Sequence, residues 1–91
     1  MKRKKLRRSI IKFSSLIDTN RKFIRRILLS EDMVEKLYQQ PDLINIGIKK
    51  DKEGSETWFL FGVESVVSQF MLKNCILEMT NGEIVKIEGF N

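Results

Sequence analysis

Leu6, Ile10, Phe13 and Ile17 recur at spacings of four, three and four, the interval that stacks side chains on one stripe of an α-helix. Lys4, Lys5, Arg8 and Lys12 fall on the far side, so the pattern predicts an amphipathic first helix, ordered from about Leu6. Asp18-Thr19-Asn20 reads as a break followed by an N-cap. It predicts a second helix over residues 21 to 29, with Arg21, Lys22, Arg25 and Arg26 on one side and Phe23, Ile24, Ile27 and Leu28 on the other. Ser30 with Glu31 and Asp32 reads as another helix start, and Met33, Val34, Leu37 and Tyr38 share a face until Pro41 ends it. The two segments can also form one long helix, because Phe23, Ile27, Ser30, Val34 and Leu37 make a continuous stripe.

Beyond Pro41 the period becomes two. Ile44, Ile46 and Ile48 alternate with Asn45, Gly47 and Lys49, and after a loop at residues 51 to 54 the apolar run over 57 to 62 completes a hairpin. Val63, Val66, Val67, Phe70 and Met71 fit the helical template and predict a short helix over 63 to 71, against the β-branching of its valines. Residues 74 to 79 and 83 to 89 read as strands around Thr80-Asn81-Gly82. A two-residue turn there sets Leu77 opposite Lys86. A three-residue loop with Gly82 in a bulge sets Leu77 opposite Val85 and Cys75 opposite Ile87, which collects the apolar side chains on one face and is the register expected.

The architecture this implies is one α+β domain, with N-terminal basic helices packed on a small antiparallel β-sheet of two hairpins and residues 1 to 8 as a flexible basic arm. The alternative is a winged helix-turn-helix, with residues 6 to 40 as its helices and 43 to 61 as its wing. Its recognition helix would carry Glu31, Asp32 and Glu35 against Lys36 alone, a surface that phosphate repels, so the α+β reading ranks first. The segment from Trp58 to Ile87 resembles the competence transcription factors in the distance from Trp58 to Asn81-Gly82 and in the apolar alternation around that turn. That resemblance covers about a third of the 91 residues and brings no functional residue with it.

Charge sharpens the picture. Residues 1 to 26 hold eleven of the seventeen Lys and Arg against one acid, Asp18, a net +10, while residues 27 to 91 hold six against eleven acids, a net −5. All six Arg lie in the first part, and Arg is the bidentate phosphate donor. Such asymmetry points to a nucleic-acid or membrane contact. The expected function is a small intracellular nucleic-acid-binding protein, for DNA or RNA. Its phosphate contacts would come from Lys2, Arg3, Lys4, Lys5, Arg7, Arg8, Lys12, Arg21, Lys22, Arg25 and Arg26. The alternative is a small protein-binding regulator or inhibitor that uses its bipolar surface, and a membrane-surface role for the first helix ranks last. A competing account pairs the basic residues with the chain's own acids, for which Asp42, Glu53, Glu56 and Glu64 are candidates.

Reactive chemistry is sparse. The chain has no His and one Cys, and no glycine-rich phosphate loop, so the reading names no catalytic residue, metal, cofactor or small-molecule substrate. Cys75, between Asn74 and Ile76, reads as core. Trp58, Phe59 and Phe61 could stack bases, but burial of at least one pair is expected because no basic residue is interleaved with them. Lys12 interrupts the apolar stretch a signal peptide needs, and no run is long enough to span a bilayer. Together with the lone Cys this indicates a reducing, cytoplasmic setting. A mitochondrial presequence is the rival, given the acid-free, Ser-containing residues 1 to 17.

Overall fold

Helix α1 (Lys2–Asn20) buries the stripe read from the sequence: Leu6, Ile10, Phe13 and Ile17 all turn inward. The computed structural model describes residues 2–69 and 74–90; the side chains of Lys2 and Arg3 lie outside that description. After α1 come strand β1 (Ile24–Ser30), helix α2 (Glu31–Tyr38), and strands β2 (Ile46–Lys50), β3 (Glu56–Leu60), β4 (Val63–Ser68), β5 (Cys75–Met79) and β6 (Ile84–Ile87). The strands form one sheet in the order β2-β3-β4-β1-β5-β6, with β1 parallel to β4 and the other pairs antiparallel. The domain is therefore α+β, but its sheet is mixed and six-stranded rather than two antiparallel hairpins.

The second predicted helix is not formed. Arg21–Phe23 makes a single 3-10 turn and residues 24 to 30 become the strand that joins the two halves of the sheet. A β-bulge produced the misleading spacing. Pairing with β5 shifts between Ile24 and Arg26, so Arg25 is an extra residue and Ile24 and Ile27, three apart, both face the core. A bulge inserted into a two-residue period imitates the interval of a helix. With that helix gone, the three-helix core of a winged helix is absent too. The predicted helix at 63 to 71 is strand β4 as far as Ser68: Val63 faces the core and Val66 faces away, as β-branched residues favour. Phe70 and Met71 lie outside the described residues.

Helix α2 starts where its N-cap signal placed it. Ser30, fully buried, accepts the Met33 N–H on its hydroxyl oxygen at 3.2 Å, and Glu31 and Asp32 complement the helix dipole in the first turn. The last hairpin adopts the bulged register, with Leu77 opposite Val85 and Cys75 opposite Ile87. Its apolar face is only half covered, because β6 is an edge strand and Val85 remains 40% exposed.

Both helices lie on one face of the sheet. Ile27, Leu29, Leu60, Val63, Cys75 and Leu77 meet the helices' buried residues in a single core. The residues that alternate with them, Leu28, Phe59, Val66 and Ile76 among them, occupy the opposite face, which no described helix covers. Among the described residues no helix is long and apolar enough to cross a membrane.

The β3–β4 hairpin closes with two residues, Phe61 and Gly62, both at positive φ (52° and 82°), the backbone of a type I′ turn. A Cβ at Gly62 would meet the Arg21 guanidinium no closer than 3.6 Å, so space is available and the penalty is purely conformational. Gly62→Ala is expected to lower stability by about 1 kcal/mol. A urea midpoint equal to the parent's would refute this account of the turn.

Candidate nucleic-acid interface

With its apolar stripe on the core, α1 must present its other side to water, and there Lys4, Lys5, Arg8 and Lys12 are all exposed. None of the four takes part in an ion pair among the described residues. Lys4 to Arg8 and Arg8 to Lys12 are steps of four, so the charges form a row about 12 Å long over two helical turns. Like charges at this spacing destabilise a helix by a few tenths of a kcal/mol per pair, a repulsion that an anion would relieve.

The remaining basic residues differ. Arg7 turns sideways and makes a forked contact with Asp42 (2.9 and 3.2 Å), with a further hydrogen bond to Gln40 Oε1 at 2.6 Å. This ties α1 to the segment that follows α2. Arg21 pairs with Asp18. Arg26 donates to Glu78 at 2.8 Å and Arg25 lies 3.6 Å from the same carboxylate, both reaching it from the bulged start of β1. Lys22 is exposed and makes no ion pair among the described residues. Among the described residues the basic side chains thus fall into two groups: Arg7, Arg21, Arg25 and Arg26 each have a carboxylate partner, and Lys4, Lys5, Arg8, Lys12 and Lys22 have none. Of the candidate acids, Asp42 is a true partner. Glu78 was not foreseen, because it meets Arg26 from 52 positions downstream.

These pairings carry a pH signature. Hydrogen bonding from Arg7 holds the Asp42 carboxyl below its ordinary 3.8, and hydrogen bonding from Arg26, with the added charge of Arg25, holds Glu78 below its ordinary 4.5. A carboxyl depressed in the folded state adds stability that is complete above its unfolded pKa and lost as pH falls through the folded one. Stability should thus be level above about pH 5 and decline as the pH is lowered. Asp42→Asn with Glu78→Gln should flatten that decline, and an unchanged acid-unfolding curve would show the two pairs to be inconsequential.

The aromatic strand divides as alternation requires. Trp58 and Leu60 face the helices and Phe59 faces away, with Lys49 Nζ 5.2 Å from its ring centroid. Phe61, at the turn, sets its ring edge-on to Phe13 with centroids 6.3 Å apart. Phe23, expected on an apolar helix face, is instead 60% exposed. Cys75 is wholly buried, and burial pushes its thiol up to about 12, the reverse of what a thiolate nucleophile needs.

No protein-family model matches this chain, and no curated protein or solved structure matches it either.

Proposed function

We propose that the protein binds nucleic acid through backbone phosphates, with the outer face of α1 as its principal contact surface and with binding rather than catalysis as its role. One observation carries this reading: Lys4, Lys5, Arg8 and Lys12 form a solvent-facing row with no acidic partner among the described residues, on a helix whose opposite face is fixed to the core. Lys2 and Arg3 extend the row in sequence. Arg7, Arg25 and Arg26 contribute less, since each already has a carboxylate. Because the apolar stripe of α1 is occupied by the core, a polyanion is favoured over a bilayer, which would need that stripe free.

Backbone binding releases counterions, so log affinity should fall linearly with log salt at ~0.9 per duplex phosphate neutralised. Four to six contacts give a slope of about −4 to −5. Mobility shifts on random duplex DNA, single-stranded DNA and structured RNA at two salt concentrations test this. Absence of binding to all three at low salt would end the proposal. The bare sheet face supports a second reading, a protein partner, since Val66 and Ile84 there are 42% and 69% exposed. Such a partner would bind with little dependence on salt.

A further inference from the structure

The 3-10 turn that carries Phe23 is docked against the β5–β6 loop, where the Thr80 N–H donates to the Phe23 carbonyl oxygen at 2.8 Å. Between them lies an open depression of about 270 Å³ lined by Asn20, Phe23, Met79, Thr80, Asn81 and Glu83, just under the range of sites that hold whole small-molecule ligands. The exposed ring and the Met79 side chain supply apolar surface. The rest of the lining is polar in a particular way. Asn81 uses its oxygen to accept the Glu83 N–H at 2.9 Å and keeps its amide donors. Asn20 uses its amide to donate to the Leu16 carbonyl at 2.9 Å and keeps its oxygen. Beside it stands Lys22, exposed, next to Phe23 in sequence and without an ion pair among the described residues.

We propose that this depression is a stacking site for one unpaired nucleobase of a single-stranded nucleic acid, with Phe23 as the platform and Lys22 on the adjoining phosphate. The inference rests on the nucleic-acid reading above and narrows it. Every base has a π-face that stacks on an aromatic ring, and the surrounding cations follow the backbone. Amide and carboxylate groups match the hydrogen-bonding edges of a base, and the Glu83 carboxylate repels a phosphate, so base and backbone are sorted to opposite sides of the rim. From Asn20 back to Lys12 is about 12 Å of helix axis, so a strand seated on Phe23 reaches the basic row of α1 within a few nucleotides.

The test uses the full chain with three probes: an oligo(dT) strand, random duplex DNA, and heparin as a polyanion without bases. Phe23→Ala should weaken oligo(dT) binding roughly tenfold and leave duplex and heparin affinity unchanged. Because the ring is mostly exposed, the melting temperature should hold. In a Trp58→Phe background, the fluorescence of Phe23→Trp should be quenched by oligo(dT) and not by heparin. Undiminished oligo(dT) binding by Phe23→Ala, with no quenching, would overturn the stacking site while duplex binding by the parent kept the wider function standing. A parent chain that bound none of the three probes would overturn both.

Discussion

Cys75→Asp is expected to remove a large part of the fold's stability. Cys75 is wholly buried in β5, paired with Leu29 on one side and Ile87 on the other. The residues packed around it are apolar, and burial alone already drives its thiol far toward the neutral form. A carboxylate at that position would be charged without a partner, or would protonate at comparable expense. Either way the penalty is several kcal/mol, against a total stability of about 5 to 14 kcal/mol for a chain of this length. Cys75→Ala, which removes only the sulfur, should cost about 1 kcal/mol and refold normally. Circular dichroism through a urea titration separates the two variants. A Cys75→Asp chain with the parent's midpoint would mean that β5 does not face the helices.

Replacing Lys4, Lys5, Arg8 and Lys12 by Gln should lower affinity for duplex DNA at low salt by roughly 100-fold and reduce the salt slope by about three to four units. The fold should survive, because these side chains make no ion pairs among the described residues, and loss of the like-charge contacts should raise helix stability slightly. Glu78→Gln works in the opposite direction. It releases Arg25 and Arg26 from their shared carboxylate and should strengthen binding and steepen the slope. Anisotropy titrations at several salt concentrations read both variants. Equal affinity of the four-residue variant and the parent would remove α1 from the interface.

What could be read from the sequence depended on range. The stripe of α1, the Ser30 cap and the register of the last hairpin rest on intervals of four residues or on a three-residue loop, and each formed as its local chemistry dictates. β1 could not be read in this way. Its identity depends on neighbours at residues 63 to 68 and 75 to 79, and the bulge at Arg25 gave its apolar positions a helical interval. The valines of β4 sent two signals, spacing for a helix and branching for a strand, and pairing with β1 settled the matter. The basic region was legible as a charge total but not as a surface. Whether an arginine faces a phosphate or a carboxylate depends on residues far along the chain, as Glu78 shows for Arg25 and Arg26.

The position of β1 at the sheet's junction also bears on how the chain is made. Ile27 pairs with Ser65, thirty-eight residues later, and Ile24 with Met79, fifty-five residues later. At ribosomal rates of about 5 to 20 residues per second, the last of these partners is synthesised roughly 3 to 10 s after β1. Until β4 is made the nascent Ile24–Ser30 segment has two unsatisfied edges, and one of them stays open until β5 follows. Such a segment is prone to pair with the same segment of a neighbouring nascent chain. Two adjacent arginines inside it act as gatekeepers by mutual repulsion. Arg25 and Arg26 thus protect the unfinished fold, until the strand that carries Glu78 arrives and offsets part of their charge.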